Sequence, residues 1–341
     1  MKIGELDLGE RPLLLAPMED VTDRSFRWMC KGFGADMMYT EFISSDGLIR
    51  DAAKSLAKLQ LDDAERPIGV QIYGHLIEPM VEAARMAAAA GPDVVDINFG
   101  CPVKKIANRG AGSGMMREPD KMVEMTRRIV DAVGSRVPVT VKTRLGWDDS
   151  SKNIEELALR LQDTGISALT IHGRTRAQMY KGEADWTLIG AVRANPAIRI
   201  PIIGNGDIAS PAAALRAFED FGVDGVMIGR ATYGRPWIFR EIRHFLATGE
   251  ELPQPGVVER VEIARRHLLK SVDVKGEKVG VLEMRRHLSC YFKGLPDFKP
   301  VRLRLVTEND PAELLRIIDG IADRWADHDL SASVPGLWEI R

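Results

Sequence analysis

The chain has 341 residues, of which 45% are apolar and 28% are charged. This composition excludes a mainly disordered chain, and 47 basic against 49 acidic residues exclude a globally basic nucleic-acid binder. Three cysteines without a CxxC pair exclude a disulfide framework and predict no metal site. The first residues lack the layout of a signal peptide, and no apolar run reaches the ~20 residues that span a bilayer. We therefore expect a cytoplasmic protein without a membrane partner.

Eight short apolar runs alternate with longer amphipathic stretches in the first two thirds of the chain. The runs lie at residues 13–18, 37–42, 67–74, 94–101, 138–146, 168–175, 200–208 and 225–230. Between them, apolar residues recur three and four apart, as in amphipathic helices. Strands that are apolar on both faces and alternate with helices form parallel sheets covered by those helices. Eight such units predict a (β/α)8 TIM barrel, and an open parallel sheet is the alternative, since strand order is not visible in a sequence.

The pattern changes after residue 245. Residues 247–256 are polar and rich in proline and glycine, as in a linker. Beyond them, three segments show helical periodicity with no strand-like run between them. We predict two domains, a barrel at residues 1–248 and an all-helical domain at residues 249–341.

Ligands of such barrels bind at the C-terminal ends of the strands. Polar or conformationally special residues follow all eight predicted strands, namely Pro17, Met18, Glu41, Gln71, Asn98, Cys101, Lys142, Arg144, His172, Arg174, Asn205, Gly206, Asp207, Gly229 and Arg230. Taken singly, many of them could be ordinary polar caps of strands. A buried lysine or histidine at a strand end needs a partner, however, and an anionic ligand can supply one.

The last two strands end in glycine-containing turns, a common phosphate site in these barrels. Glycines 204, 206 and 229 allow main-chain N–H groups to approach a phosphate, and Arg230 adds charge. The alternative is a pair of tight turns that need positive φ.

Lys142 can place a cation beside a flavin ring, where it would stabilise the negative charge of the reduced form. Gln71 and His172 can hydrogen-bond the ring or its ribityl chain. Together with the phosphate site, these residues predict FMN. NAD is disfavoured because no G-x-G-x-x-G motif opens a first βα unit.

Cys101 lies in the segment NFGCPVKK, directly after the fourth predicted strand. The other two cysteines fit buried apolar positions, which is the alternative for Cys101 as well. Its position at a strand end, and the cations Lys104 and Lys105 of its loop, favour a catalytic role. We expect both lysines to point toward RNA phosphates and away from the sulfur. The GAGSG segment that follows is too rich in glycine for a packed helix, and we expect a mobile loop that closes over substrate.

Several segments in chain order together resemble the tRNA-dihydrouridine synthase family. They are APMEDVTDRSFR, EFISSDGLIR, VQIYG, DINFGCPVKKI, RGAGSG, VKTRLGW, HGRTRAQMYKGEADW, GNGDI and MIGRATYGRPWIF, and RRHLSCYFKGLP is similar to the bacterial B-type branch. The resemblance implies an FMN enzyme that reduces the C5–C6 double bond of selected uridines in tRNA, with NADPH as electron donor. It implies that Cys101 donates the proton and that Asn98 lies near the uracil edge. The implied FMN contacts are Ala16, Pro17, Met18, Gln71, Lys142, His172, Asn205, Gly206, Asp207, Gly229 and Arg230.

A uridine in folded RNA must leave its stack to reach a flavin at the bottom of a barrel. Residues 285–304 carry six basic residues against one acidic residue, with three aromatic residues interleaved. We therefore expect RNA contacts at Arg285 and Arg286, in addition to Lys104 and Arg174 on the barrel. An ordinary solvated helix face with its aromatic residues in the core is the alternative.

Three other functions fit parts of this pattern. One is an FMN barrel acting on a free pyrimidine, and another is a non-redox phosphate-binding barrel enzyme. The third is an RNA-binding protein without catalysis. The sequence predicts no obligate protein partner, and it leaves open the modified uridine, the choice between NADPH and NADH, and the oligomeric state.

Overall fold

A computed structural model describes residues 1–330. Residues 331–341, the last part of the predicted helical domain, lie outside the described residues. The chain forms two compact units, one of residues 1–19 and 35–229 and the other of residues 20–34 and 230 onward. The predicted domain boundary at residue 248 falls inside the second unit, at the end of one of its helices, and it stays a prediction.

The first unit contains all strands found in residues 1–330. They are β1 (Lys2–Ile3), β2 (Leu6–Asp7), β3 (Leu13–Leu15), β4 (Met38–Tyr39), β5 (Ile43–Ser44), β6 (Ile68–Tyr73), β7 (Val94–Asn98), β8 (Val139–Arg144), β9 (Ala168–His172), β10 (Ile202–Asn205) and β11 (Gly225–Ile228). Strands β3 to β11 form one parallel sheet in the order β3-β11-β10-β9-β8-β7-β6-β4, with β5 beside β6. A parallel bridge between Leu14 and Met37 joins the two ends of this sheet. The predicted (β/α)8 barrel is confirmed, and the second predicted strand is divided into β4 and β5.

Helices follow most of the barrel strands, and further helices form the C-terminal region. They are α1 (Arg24–Gly32), α2 (Ser45–Leu48), α3 (Ala53–Ala57), α4 (Ile77–Ala89), α5 (Lys104–Ala107), α6 (Pro119–Val133), α7 (Ile154–Gln162), α8 (Trp186–Ala194), α9 (Pro211–Glu219), α10 (Ile238–Thr248), α11 (Val257–Lys275), α12 (Glu277–Tyr291), α13 (Lys299–Thr307) and α14 (Pro311–Trp325). Local chemistry sets their ends. For example, Ser210 accepts a hydrogen bond from the Ala213 N–H and Pro211 occupies the first turn of α9.

The strands β1 and β2 form an antiparallel hairpin that the sequence did not predict. Ile3 and Leu8 of this segment are buried in one cluster with Leu14, Val94 and Ile203 of the barrel strands. The hairpin therefore adds apolar side chains to the barrel core.

The second unit consists of α1 and α10 to α14, and among its described residues there is no strand. Its core contains Trp237, Phe239, Tyr291 and Phe292, which are almost fully buried. An all-helical C-terminal region is thus confirmed. Within residues 1–330, no helix is long and apolar enough to cross a bilayer.

Candidate active site

The C-terminal ends of four neighbouring strands bring polar side chains together. Asn98 on β7 is in register with Lys142 on β8, and His172 on β9 is in register with Asn205 on β10. The Lys142 Nζ donates to Asn205 Oδ1 at 3.0 Å, and the Asn205 Nδ2 donates to the Met227 carbonyl at 2.8 Å. The parallel barrel therefore places these predicted residues side by side at one end.

The surroundings of Lys142 disfavour the charged form of its ammonium group. Loss of hydration around the ammonium, together with the nearby Arg144, lowers the pKa of Lys142 to about 7. The carboxylate of Asp96 opposes this shift. Lys142 is therefore a cation that an additional negative charge at the site would stabilise.

A chain of hydrogen bonds runs from the barrel interior to the mouth. Asp96 Oδ2 accepts from Gln71 Nε2 at 2.6 Å, and Gln71 Oε1 accepts from Asn98 Nδ2 at 2.7 Å. Asn98 Oδ1 accepts from the N–H groups of Gly100 and Cys101, both at 2.9 Å. Burial raises the pKa of Asp96 to about 6, against the effect of these donors.

Hydrogen bonds hold the main chain of Cys101 at both its N–H group and its carbonyl oxygen. Asn98 accepts from its N–H, and Ser113 donates to its carbonyl from the main chain at 3.1 Å and from the hydroxyl at 2.8 Å. Only 7% of Cys101 is exposed, and burial raises the pKa of its thiol although a hydrogen bond from the Val103 main chain and the charges of Arg144 and Lys142 oppose the shift. The thiol is therefore protonated at neutral pH, as a proton donor must be.

The GAGSG segment is packed, so the prediction that it is too glycine-rich to pack is wrong. Residues Gly112–Arg117 form a buried 3-10 helix. A Cβ on Gly114 would lie 2.3 Å from the Ala107 carbonyl oxygen, and Gly112 has a φ of +54° beside Cys101. The glycines allow the close approach that brings Ser113 to Cys101.

Lys104 and Lys105 begin the short helix α5 and are exposed. The charged groups that act on the Cys101 thiol include Arg144, Glu19 and Lys142. The exposed position of both lysines is compatible with the predicted phosphate contacts, which stay a prediction.

Arg174 and Asp207 form an ion pair in the loops after β9 and β10. The Arg174 Nη2 lies 2.7 Å from Asp207 Oδ2, and Arg174 is 2% exposed. The same guanidinium donates to the carbonyls of Lys181 and Gly182, and Asp207 also accepts from the Ala184 N–H. This pair therefore fixes the two loops to each other. The predicted contact of Arg174 with substrate and that of Asp207 with FMN stay predictions.

Small residues line the remaining part of the mouth. A Cβ on Gly229 would lie 3.6 Å from both Ala16 Cβ and Met18 Sδ, and Gly206 has a φ of +127° next to His172. Close packing requires glycine at two of these positions, because a Cβ on Gly206 would lie 2.7 Å from Ala184 Cβ and a Cβ on Gly204 would lie 2.2 Å from the ring of Trp186.

The remaining predicted residues belong to the second unit. Arg230 begins a 3-10 turn, Arg230–Thr232. Arg285 donates to Asn309 Oδ1 at 2.9 Å and to the carbonyls of Thr307 and Glu308 at 3.3 Å. Arg286 is exposed and lies 3.7 Å from Asp20.

The three aromatic residues interleaved with the basic residues of segment 285–304 lie in the helical core. Tyr291 and Phe292 are fully buried, and Phe298 is 8% exposed. For these three aromatic residues, the structure therefore shows the alternative, a helix face whose aromatic side chains lie in the core.

Sequence reasoning missed three residues of the site, namely Asp96, its hydrogen-bond partner Thr140, and Ser113. An acidic residue in the middle of the apolar run VVDIN was the signal for Asp96, because an isolated buried carboxylate is costly unless it has partners. The contact of Ser113 depends on the folding of the 3-10 segment onto Cys101 and has no local signal.

Comparison with known sequences identifies similar proteins over most of the chain. The family described as "Dihydrouridine synthase (Dus)" matches residues 14–323. A "Probable tRNA-dihydrouridine synthase" of Rickettsia bellii is 42% identical over 91% of this chain and 94% of its own length. A "tRNA-dihydrouridine synthase B" of Pseudomonas putida is 43% identical over 89% of each chain.

Solved structures show a similar fold. A histamine dehydrogenase from Rhizobium sp. 4-9 matches with a TM-score of 0.54 and 11% identity, covering 94% of this chain and 64% of that one. A 2-naphthoyl-CoA reductase matches with a TM-score of 0.56 and 14% identity, covering 72% of this chain and 51% of that one. At these identities the likeness concerns the fold alone.

Proposed function

Since the chain belongs to the dihydrouridine synthase family, whose members are oxidoreductases, we propose that it reduces the C5–C6 double bond of specific uridines in tRNA. The observation that carries this proposal is the fixed, protonated Cys101 at the same barrel end as Lys142. With tRNA as its substrate, the protein would act in the cytoplasm.

The donor set of the barrel mouth fits FMN as the cofactor. Lys142 offers a cation whose lowered pKa means that a neighbouring negative charge would be favourable. Gly206 and Gly229 would contact the phosphate, and Ala16, Pro17 and Met18 follow β3 at the same end of the barrel. His172 and Asn205 would complete the contacts, and Arg230 stays a sequence-based prediction. We propose NADPH as the reductant that recharges the flavin.

When bound, FMN would supply the hydride that is added to C6 of the uracil. Cys101 would donate its proton to C5, and its raised pKa keeps that proton on the sulfur at neutral pH. The hydrogen bonds from Ser113 and to Asn98 hold the main chain of Cys101 in place before substrate binds. Ordering of this main-chain segment therefore adds no entropic cost to the reaction. After the transfer, solvent would reprotonate the thiolate.

The RNA has to present an unstacked uridine to this end of the barrel. Lys104, on the exposed face of α5 three residues beyond Cys101, would contact phosphate, and Arg286 of α12 is the exposed candidate in the second unit. Both contacts are electrostatic and therefore depend on salt.

Turnover on two substrates tests the proposal. The purified protein, reduced by NADPH without oxygen, is mixed with unmodified tRNA or with free uridine. We expect reoxidation of the flavin and formation of dihydrouridine with tRNA only. Equal rates with free uridine would favour a free-pyrimidine reductase instead, and a colourless protein without flavin absorbance would favour a non-redox barrel enzyme. A flavin that is bound but is not reoxidised by tRNA would favour an RNA-binding protein without catalysis.

A further inference from the structure

We propose that Asp96 is a positioning residue, whose carboxylate fixes the amides of Gln71 and Asn98 and thereby the main chain of Cys101. This inference rests on the proposed function, because it gives Asp96 a part in that reaction. Asp96 does not contact Cys101 itself, and its effect would pass through the two amides.

The barrel register places the members of this chain at two levels. Gln71, Asp96 and Thr140 are paired across β6, β7 and β8, and each is at most 1% exposed. Asn98 and Lys142 form the next pair, two residues closer to the C-terminal ends. Side chains two residues apart on a strand point to the same side, so both levels face one interior.

The direction of each hydrogen bond is determined by the two ends of the chain. An ionised carboxylate only accepts, so Gln71 must turn its Nε2 to Asp96 and its Oε1 to Asn98. Main-chain N–H groups only donate, so Asn98 must turn its Oδ1 to Gly100 and Cys101. Both ends require the same orientation of the two amides, and Thr140 holds the second carboxylate oxygen at 2.6 Å.

This orientation determines what the two amides can offer to a ligand. Each amide nitrogen carries two N–H groups, and the chain uses one of them. The second N–H of Asn98, which is 6% exposed whereas Gln71 is fully buried, is then the group that can bind a carbonyl oxygen, such as that of a uracil ring. If Gln71 lost its anchor, its amide could turn and present a donor to Asn98, which would turn the Asn98 Oδ1 away from the N–H of Cys101. Asp96 would therefore set both the polarity of the site and the place of the thiol.

The carboxylate is ionised under assay conditions. Burial raises the pKa of Asp96 to about 6. At about pH 7.5, most Asp96 carboxyl groups are therefore ionised. Lys142 lies close enough to stabilise that charge, and Gln71 and Thr140 donate to both oxygens.

Three variants separate orientation from packing. Asp96→Leu removes both acceptor oxygens. Asp96→Asn keeps one oxygen for Gln71 and an amino group for Thr140 but removes the charge. Thr140→Val removes only the bond to the other carboxylate oxygen. For each variant we would measure flavin content, the rate of flavin reduction by NADPH, the single-turnover reduction of tRNA, and the pH dependence of Cys101 alkylation.

We expect Asp96→Leu to slow the single-turnover reduction of tRNA about 10- to 100-fold, as small misplacements of reacting groups do. Its flavin reduction by NADPH, which also reports on the predicted flavin contact of Gln71, should slow less than its reduction of tRNA, and its Cys101 alkylation profile should shift. Asp96→Asn and Thr140→Val should retain most of the tRNA reduction. Asp96→Ala, which adds no bulk to the barrel, is the second anchor-removing variant in case Asp96→Leu does not bind flavin.

Two results would overturn the inference. One is reduction of tRNA at the wild-type rate by Asp96→Leu or Asp96→Ala. The other is an equal loss in Asp96→Asn and Asp96→Leu, since the charge and not the orientation would then be decisive. A wild-type protein that forms no dihydrouridine in the same assay would instead refute the proposed function.

Discussion

Each of the two units buries a cluster of polar and charged side chains, and the hydrogen bonds of the two clusters are organised differently. The barrel cluster comprises Gln71, Asp96, Asn98, Thr140 and Lys142. The histidine cluster of the helical unit comprises Asp23, Ser25, His267, Lys275, His287 and Tyr291. In the barrel, hydrogen bonds lead step by step to the main chain of Cys101.

The contacts of the histidine cluster stay within the helical core. Asp23 caps the N-terminus of α1 and lies 2.5 Å from the Lys275 ammonium. His267 Nδ1 lies 2.9 Å from the Tyr291 hydroxyl, and the rings of His267 and His287 are 4.6 Å apart. This cluster connects α1 with α11 and α12.

Burial disfavours the charged form of the titratable groups in both clusters. It raises the pKa of Asp96 and lowers that of Lys142 in the barrel, and it lowers those of His267 and His287 in the helical unit. Burial would also raise the pKa of Asp23, but Lys275, His267 and His287 together outweigh it and hold that pKa well below its usual range. The comparison teaches that buried polar groups can serve reactivity in one unit and packing in the other. Variants can test this division.

The largest expected effect is on catalysis in the barrel. Cys101→Ala should lower dihydrouridine formation by at least about 100-fold, because a general acid contributes roughly that much. Flavin reduction by NADPH should be unchanged. Cys290→Ala is the matched control, since both cysteines are 7% exposed, and it should form product at the wild-type rate. Equal product from both variants in a single-turnover assay would remove Cys101 from the mechanism.

The next effect is on stability of the helical unit. Lys275→Met leaves the Asp23 carboxylate without its 2.5 Å partner, and breaking a buried pair costs about 3–5 kcal/mol of unfolding free energy. Flavin reduction by the folded fraction should not change. Lys278→Met, at an exposed position of α12, should change the unfolding free energy by less than about 0.5 kcal/mol. Denaturant titration of both variants measures this, and similar midpoints would contradict the assigned role of the pair.

His287 and Asp96 should give the unfolding free energy pH dependences of opposite sign. The pKa of His287 falls from 6.5 to about 4 on folding, chiefly through burial, so the unfolded chain binds more protons between these values. Stability from His287 is therefore complete above pH 6.5 and is lost as the pH falls toward 4. The shift corresponds to about 3 kcal/mol. His287→Phe should flatten this part of the pH profile, whereas His244→Phe, at a half-buried position of α10, should not.

Asp96 should give the reverse dependence. Its pKa rises from 3.8 to about 6 on folding, so the folded chain binds more protons between these values. The contribution of Asp96 to the unfolding free energy is complete below pH 3.8 and is lost as the pH rises through 6. Relative to Asp96→Asn, the wild-type unfolding free energy should thus decrease over this range. A parallel pair of profiles from urea titrations between pH 4 and 6.5 would contradict the shift.

The smallest expected effect concerns RNA binding by two neighbouring arginines. Arg286→Ala removes an exposed charge and should reduce the slope of log K for tRNA against log salt by about 0.9 if it contacts one phosphate. Arg285 already binds Asn309 and the carbonyls of Thr307 and Glu308. Arg285→Ala should therefore lower the melting temperature of the protein and leave the salt slope of tRNA binding nearly unchanged. The opposite ranking would mean that Arg285 is the contact.

Much of the barrel follows from local patterns, and the remainder depends on contacts distant in sequence. Apolar runs followed by polar residues predicted eight strands and their ligand-binding ends, because each strand is buried on both faces. The hairpin of β1 and β2 has strands of two residues, which are too short for periodicity to reveal. The assignment of residues 20–34 to the helical unit depends on tertiary packing of α1.

The candidate site shows the same division. Cys101, Lys142 and Asn205 were predictable because each directly follows or ends an apolar run. Asp96 lies inside such a run, and its partners Gln71 and Thr140 come from neighbouring strands, so only the barrel register reveals the chain of hydrogen bonds.

The most direct test of the account is to map dihydrouridine in tRNA from cells that lack this protein, before and after re-expression. The account predicts that dihydrouridine is missing at specific tRNA positions, returns with the wild-type protein, and stays missing with Cys101→Ala. Unchanged dihydrouridine in the absence of the protein, or full restoration by Cys101→Ala, would contradict it.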